Sequence, residues 1–260
     1  MKKLRFIPVP AVISLISGMA AADDIKVGVS VGEHAEIMEK VAEIAKDKGL
    51  NIEVIEFTDY VMPNQALNDG DLDANSFQHQ PYLDNQLRDR GYDLVTVAKT
   101  ITTPMGAYSS RLETLDDLPD GAKIAIPNDP TNGGRALLLL QEKGLITLGE
   151  DVGLTPSPLD VTGNDRKLEF LELDAAQLPR ALADVDIAII NTNYALEADL
   201  DPQKDAIAME RAESPYANII VVRSADENAP WVAEFVKAYQ DPAIKSFIEE
   251  HYHGAVIPAW

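Results

Sequence analysis

The sequence predicts an α/β protein of two lobes, each a mainly parallel β-sheet flanked by helices, with two hinge crossings between the lobes. From Ile25 onward, apolar strands such as IKVGVSV alternate with amphipathic helices such as HAEIMEKVAEIAKDKG. The stretch TTPMGAYSS interrupts this series, and a second strand–helix series follows it. We therefore predict a first lobe of residues 23–104 plus 220–260 and a second lobe of residues 105–219.

The elements of the first lobe follow from apolar spacing and from helix stop signals. The first helix places Ile37, Val41 and Ile44 on one face and ends at Gly49. Proline in the first turn and glycine after the last are typical of helices, and PNQALNDG has both. The remaining elements are predicted from these stretches: strand NIEVIEF, strand LDANSF, helix PYLDNQLRDRG and strand DLVTVAKTI.

The second series repeats the alternation and then returns to the first lobe. Its crossings are predicted near Pro104–Tyr108 and near Asn218–Val222. A long loop, LITLGEDVGLTPSPLDVTGN, separates two of its elements, and two helices end the chain. The elements between are strand AKIAIPND, helix TNGGRALLLLQEKG, strand KLEFLEL, helix AAQLPRALAD and strand VDIAIIN.

Charge and cysteine content exclude several classes of protein. The formal charge of −21, from 22 basic and 43 acidic residues, argues against nucleic acid or an anionic membrane as a partner. The chain has no cysteine, so disulfides and zinc thiolates are excluded. MKKLRF, an apolar stretch and Ala20–Ala22 have the layout of a secretory signal peptide, predicted as residues 1–22. We expect a soluble, exported mature protein.

Three aromatic rings stand close together in DANSFQHQPYLDNQ, where a strand meets a helix. Phe77 and His79 fall in the turn and Tyr82 in the first helical turn, because Pro81 occupies the first helical position. Ligands of open α/β sheets bind beyond the carboxyl ends of the strands, so these rings are candidates for a binding cleft. The alternative is that Phe77 and Tyr82 are core residues and His79 a hydrogen-bonded surface residue.

A second strand–turn–helix stretch, IPNDPTNGGRALLLL, offers features that bind an anion. A helix start presents free N–H groups, and the paired glycines allow a ligand to approach the backbone. Arg135 can hold a carboxylate with two hydrogen bonds. The stretch is neither a dinucleotide fingerprint nor a P-loop. The alternative is that the glycines serve packing and Arg135 is a surface charge.

Asparagines end two further strands and complete the set of candidate groups. Asn191 and Asn193 follow the apolar strand DIAII, and Asn218 precedes the second crossing. Such asparagines are ordinary turn residues when taken alone. Together, the four stretches supply a carboxylate receptor, amides that accept from an ammonium group, and an aromatic slot for an apolar side chain. This combination suits a free amino acid zwitterion.

The sequence contains no motif typical of a catalytic site or of a metal site. The pair His251 and His253 has no HExxH motif or calcium loop beside it, so we interpret both as surface residues. A GxSxG elbow is absent, and the carboxylates fall in no motif that implies acid–base work. We predict a non-enzymatic protein that uses neither a cofactor nor a metal.

The chain resembles the substrate-binding proteins of methionine ABC importers, the NlpA-type lipoprotein family. The resemblance runs from about Ile25 to the C-terminus. It rests on FTDYVMPNQAL, GDLDANSFQHQPYL, PMGAYSS, IPNDPTNGGRALLLL, AAQLPRAL, DVDIAIIN and ESPYANIIVV. It implies a type II periplasmic-binding-protein fold that holds methionine in the cleft, with an inner-membrane ABC permease and its ATPase as partners. We expect a monomer.

The resemblance also assigns roles to residues of this chain. Arg135 would bind the carboxylate with Asn132 beside it, and Asn191 and Asn218 would help hold the ammonium and carboxylate groups. Asn193 is a weaker candidate for the same task. The thioether would be surrounded by aromatic side chains, which favour a polarizable sulfur over a branched alkyl group; these are Tyr60, Phe77, His79 and Tyr82.

One feature departs from the family pattern. Members of the family usually carry a lipidated cysteine at the end of the signal, where this chain has Ala20–Ala22 and no cysteine. A freely diffusing periplasmic form in a Gram-negative envelope is therefore expected. Other ligands that remain open are D-methionine, a methionine-containing dipeptide or another apolar amino acid. A structural or sensory envelope protein that no longer transports is a further alternative.

Overall fold

The computed structural model describes residues 23–211 and 214–260; the predicted signal peptide, residues 1–22, lies outside them. The helices are α1 (Glu33–Asp47), α2 (Met62–Asp69), α3 (Gln80–Arg90), α4 (Pro130–Glu142), α5 (Leu178–Ala181), α6 (Thr192–Glu197), α7 (Pro230–Tyr239) and α8 (Pro242–Tyr252). The strands are β1 (Asp23–Ser30), β2 (Leu50–Phe57), β3 (Ala74–His79), β4 (Leu94–Lys99), β5 (Ile101–Thr102), β6 (Gly106–Tyr108), β7 (Lys123–Pro127), β8 (Thr147–Leu148), β9 (Val161–Gly163), β10 (Glu169–Leu173), β11 (Ile187–Ile190), β12 (Ala206–Met209), β13 (Asn218–Arg223) and β14 (Ile257–Pro258).

The first lobe is built on a five-stranded sheet with the order β2-β1-β3-β13-β4. Strand β1 runs parallel to β2 and β3, and β13 runs antiparallel to β3 and β4. One face packs on α1, α7 and α8 through a large apolar cluster that includes Val27, Ile37 and Phe235. The other face packs on α2 and α3 through Leu67 and Leu83. Both faces are covered, which explains the nearly continuous apolar runs of β1 and β13.

The second lobe is built on a five-stranded sheet with the order β10-β7-β11-β6-β12. Strand β7 runs parallel to β10 and β11, and β6 runs antiparallel to β11 and β12. Apolar clusters cover both faces, one with α4 and one with α5 and α6. The predicted two-lobed α/β fold is confirmed. Each mainly parallel sheet contains one antiparallel strand where the chain arrives from the other lobe.

The two crossings lie between β5 and β6 and between β12 and β13. The first is short, because β6 begins at Gly106. On the second, the chain is already paired within the first sheet at Asn218, which lies opposite His79. The crossing predicted near Asn218–Val222 thus coincides with strand β13, and the connecting residues precede it.

Several element boundaries follow local signals, and two predictions need correction. Helices α2 and α3 end at Gly70 and Gly91 in the left-handed conformation, as their sequences predict. The predicted long loop instead contains the small hairpin β8–β9. The predicted helix AAQLPRALAD is a short 3₁₀ turn followed by α5, which has four residues. No helix within residues 23–211 and 214–260 combines the length and apolar character needed to span a bilayer.

Candidate functional site

A small cavity between the lobes brings all nine predicted binding residues together. The first lobe and the first crossing contribute Tyr60, Phe77, His79, Tyr82 and Asn218, together with His34, Gln78 and Thr103, which the sequence did not single out. The second lobe contributes Asn132, Arg135, Asn191 and Asn193. Residues that lie more than a hundred positions apart in sequence thus line one space.

The ends of three strands position most of these side chains. Strand β3 ends at His79, whose Nδ1 accepts a hydrogen bond from the backbone N–H of Tyr82 at 3.1 Å and so caps α3. Strands β7 and β11 lead into α4 and α6, which carry the second-lobe asparagines. The cavity therefore lies beyond the carboxyl ends of parallel strands, where open α/β sheets bind their ligands. Phe77 and His79, both predicted to lie in the turn, are part of β3, and His79 is its last residue.

Aromatic rings form one wall of the cavity. The ring of Tyr60 lies 6.1 Å from that of Phe77 and 6.3 Å from that of Tyr82, and Phe77 and Tyr82 meet edge to face at 6.0 Å. The Tyr82 hydroxyl donates to the backbone oxygen of Tyr60 at 2.8 Å, which anchors the Tyr82 ring. Such a wall can enclose a thioether or another apolar side chain.

A chain of hydrogen bonds orients the amides of the opposite wall. The Asp129 carboxylate accepts from the Asn132 side-chain N–H₂ at 2.9 Å, so the Asn132 oxygen faces the other way. That oxygen accepts from the Asn191 N–H₂ at 2.9 Å and lies 3.3 Å from His79 Nε2. The Asn191 oxygen is consequently an acceptor that is buried and has no partner among the described residues. An unpaired buried acceptor of this kind suits an ammonium group.

Asn193 presents the complementary group. The Tyr60 hydroxyl donates to the Asn193 side-chain oxygen across the interlobe gap. The Asn193 N–H₂ is therefore a donor, buried and unpaired among the described residues. A donor and an acceptor thus both lack partners in the same cavity, as a zwitterion requires.

His79 and His34 are neutral in this setting. Burial, assisted by the charge of Arg135, lowers the pKa of His79 to about 3. Burial alone lowers the pKa of His34 to about 4. Since His79 Nδ1 accepts from a backbone N–H, its Nε2 carries the proton and donates to Asn132. The ring therefore completes the hydrogen-bond chain and adds no charge.

Arg135 lies in the cavity wall. The edge of its guanidinium formed by Nε and Nη2, which can make two parallel hydrogen bonds, is already occupied. Its Nε lies 3.1 Å from both carboxylate oxygens of Glu210, and its Nη2 also bonds Glu210. The same Nη2 donates to the backbone oxygen of Thr103 at 2.9 Å. Only Nη1 has no partner among the described residues. The double hydrogen bond predicted for a ligand carboxylate is thus made to Glu210 instead.

The glycines of the same stretch are required by packing. A Cβ on Gly133 would lie 2.7 Å from the Pro127 backbone oxygen, and one on Gly134 would lie 2.7 Å from the Leu154 oxygen. Asp129 caps the start of α4 by accepting from the Asn132 backbone N–H at 2.9 Å. Asp129 thus satisfies one N–H of the helix start within the protein, and close packing alone is enough to require both glycines.

The lobes are closed upon this cavity. Its free volume is about 20 Å³, room for about one water molecule, so the walls must separate to admit an amino acid. Across the gap, the Tyr194 hydroxyl donates to the Thr58 backbone oxygen at 3.1 Å, in addition to the Tyr60–Asn193 bond. Gly32, between β1 and α1, meets the backbone of Asn193 directly. Closure therefore depends on contacts between the two lobes themselves.

We expect Gly32→Ala to hold the lobes apart. Gly32 has φ of 87°, and an added Cβ would lie 2.9 Å from the Asn193 backbone oxygen. The strain of about 1–3 kcal/mol should weaken methionine binding by tenfold or more and leave the ligand-loaded protein less compact in small-angle scattering. The matched control is Gly49→Ala, which has φ of 86° and no neighbour within 4 Å. Equal affinity losses in both variants would contradict a role for Gly32 in closure.

A second, larger crevice of about 510 Å³ lies between α1, α8 and the chain after α6. None of the nine predicted binding residues lines it, whereas His251 and His253 do. Glu33 reaches it from the start of α1, is 1% exposed and lies 3.9 Å from the His34 ring nitrogen. Burial, with a smaller contribution from Glu36, raises the pKa of Glu33 to about 8. Glu33 is therefore protonated at neutral pH, and its contact with His34 is not an ion pair.

Glu33 should make the protein less stable as the pH rises. The unfolded carboxyl ionises near 4.5 and the folded one near 8, so the folded state binds more protons between these values. The loss should reach about 1–2 kcal/mol between pH 6.5 and 8. Thermal unfolding of Glu33→Gln should lack this decline, whereas Glu39→Gln, on the exposed face of α1, should keep it. A decline of the same size in Glu33→Gln would contradict the buried, protonated carboxyl.

Comparison with known proteins identifies the family and supports the fold. The NlpA lipoprotein family model matches residues 25–260. A Vibrio cholerae relative named probable D-methionine-binding lipoprotein MetQ is 51% identical over 246 residues, which cover 94% of this chain and 91% of the relative. The D-methionine-binding lipoprotein MetQ of Escherichia coli is 50% identical over 239 residues, covering 91% of this chain and 88% of the relative.

Solved structures of similar sequence have the same fold. A nutrient binding protein from Burkholderia cenocepacia, solved bound to methionine, is 54% identical with a TM-score of 0.89 over 91% of this chain and 100% of that one. The methionine binding protein MetQ is 49% identical with a TM-score of 0.89, over 91% and 98% of the two chains. Because the family model matches almost the whole described chain, the protein belongs to the NlpA lipoprotein family.

Proposed function

We propose that this protein is a periplasmic receptor that captures methionine between its lobes and delivers it to an inner-membrane ABC permease and its ATPase. The observation that carries the proposal is the pair of unpaired amide groups opposite an aromatic wall. The Asn191 oxygen suits the ammonium group of an amino acid, and the Asn193 N–H₂ suits its carboxylate. Binding without turnover is the whole of the proposed activity.

Support for methionine comes from the aromatic wall and from the relatives. The rings of Tyr60, Phe77 and Tyr82 form a sleeve in which a sulfur atom gains about 0.3–1.5 kcal/mol for each good contact. The names of the relatives specify D-methionine, and the Burkholderia cenocepacia structure contains methionine. We propose both stereoisomers as ligands, with a methionine dipeptide or another apolar amino acid as the alternatives.

The deciding experiment identifies the ligand directly. Purified protein is denatured, and whatever small molecule is released is identified by mass spectrometry. The protein is then refolded without ligand and titrated calorimetrically with L-methionine, D-methionine, leucine and alanine. We expect methionine to co-purify and to bind at least tenfold more tightly than leucine. Tighter binding of leucine would replace the methionine proposal with another apolar amino acid.

Localisation gives a separate test. The chain contains no cysteine, the residue that lipidation requires, although its relatives are named lipoproteins. We expect the mature N-terminus near Asp23 and recovery of the protein in the soluble periplasmic fraction. N-terminal sequencing after osmotic shock measures both. A mature chain that still begins at Met1, or recovery in membranes alone, would contradict this expectation.

A further inference from the structure

Glu210 forms a buried ion pair with Arg135 immediately behind the cavity wall. The Arg135 side chain is 3% exposed and that of Glu210 is 10% exposed. Glu210 bonds the Nε and Nη2 edge of the guanidinium and does not itself line the cavity. The face of the guanidinium lies 4.4 Å from the centre of the Tyr216 ring. Arg135 is therefore held on its edge and on its face, and Nη1 alone has no partner among the described residues.

The backbone holds Glu210 in this place independently of Arg135. The Met105 backbone N–H donates to the Glu210 carboxylate at 3.2 Å. The Glu210 backbone N–H donates to the Met105 oxygen at 2.9 Å. Glu210 thus follows the end of β12 and is fixed against the first crossing. The ion pair is a built feature of the wall and not a chance meeting of two long side chains.

The pair removes net charge from the ligand cavity. Among the described residues that line the cavity, Arg135 is the only lysine or arginine, and Glu210 compensates its charge. Both histidines in the lining are neutral, for the reasons given above. An anion entering such a site loses its hydration without gaining an uncompensated positive charge. A zwitterion brings its own ammonium group to the unpaired Asn191 oxygen and so enters without adding net charge.

We propose that Glu210 determines the charge selectivity of the site: by neutralising Arg135 it admits zwitterionic amino acids and excludes anions that have the same side chain. The inference rests on the proposed function and extends it from the ligand's side chain to its charge. Specificity then comes partly from a repulsive element placed behind the wall. The anion to be excluded is the 2-oxo acid of methionine, which keeps the thioether and the carboxylate but lacks the ammonium group.

The test compares L-methionine with 4-methylthio-2-oxobutanoate by calorimetry on ligand-stripped protein. We expect the parent to prefer methionine strongly and Glu210→Gln to reduce the methionine-to-oxo-acid ratio by about tenfold or more, since Arg135 then keeps its charge. The oxo acid lacks the ammonium contacts in the parent and in the variant alike. A change in the methionine-to-oxo-acid ratio between the two proteins therefore isolates the effect of the charge at Glu210. The matched control is Glu142→Gln, which removes a carboxylate paired at 3.0 Å with Arg211 outside the cavity.

Three outcomes separate the claims. An unchanged ratio in Glu210→Gln, with both affinities reduced alike, would show a purely structural role and overturn the inference. A parent that binds the oxo acid as tightly as methionine would overturn it as well, even if the variant failed to fold. A parent that binds no methionine would instead contradict the proposed function.

Discussion

Arg135→Ala is expected to weaken methionine binding by about 2–5 kcal/mol, tens to thousands of fold. The substitution removes the one lysine or arginine among the described cavity residues, whose Nη1 we propose as the donor to the ligand carboxylate. It also leaves Glu210, which is 10% exposed, without its partner in a closed site. A buried charge that loses its partner is costly, so the melting temperature should fall as well.

The same variant should affect amino acid ligands alike, because every one of them carries the carboxylate. Calorimetry with methionine, leucine and alanine on stripped protein measures this, at a temperature where circular dichroism shows the variant to be folded. Arg88→Ala is the matched control, since Arg88 pairs with Asp89 on the exposed surface. If Arg135→Ala bound methionine as tightly as the parent, the carboxylate site would be misplaced. The amino acid proposal would then depend on family membership alone.

The fold was largely predictable because most of its strands and helices have clear local sequence patterns. Strands such as β7 and β11 are buried on both faces and read as short apolar runs, and α1 has a clear apolar stripe. The antiparallel strands β6 and β13 were less predictable. Their direction depends on where the chain returns from the other lobe, and their apolar composition does not record it. The hairpin β8–β9 has strands of two and three residues, too short to show a period.

Some residues of the candidate site could be predicted from the local sequence, and others only from contacts between distant parts of the chain. Phe77, His79 and Tyr82 could be found because they cluster at a strand–helix junction, the place where open sheets bind ligands. Glu210 could not be found, since it lies 75 positions from Arg135 and stands in no motif. The two glycines after β7 are compatible with two explanations, close packing of the backbone or close approach of a ligand. Only the three-dimensional neighbours of Gly133 and Gly134 decide between them.

We expect the aromatic wall to determine the preference for methionine over other amino acids, whereas Arg135 is expected to affect the affinity for all of them. Phe77→Leu keeps an apolar side chain in a position that is 5% exposed but removes the ring beside Tyr60 and Tyr82. Methionine then loses contacts between its sulfur and the aromatic ring, worth about 0.3–1.5 kcal/mol each. Leucine and alanine, which have no sulfur, should lose less. We therefore expect the preference for methionine over leucine to fall by about two- to tenfold.

Tyr82→Phe separates the ring from its hydroxyl. It removes the 2.8 Å hydrogen bond to the Tyr60 backbone and keeps the aromatic face, so it should lower affinity without changing preference. Phe235→Leu, a fully buried ring in the first-lobe core, controls for the general cost of losing an aromatic side chain. Competition calorimetry with methionine and leucine gives the ratio for each variant. A parent-like ratio in Phe77→Leu would mean that shape alone, and not contact between sulfur and an aromatic ring, selects the ligand.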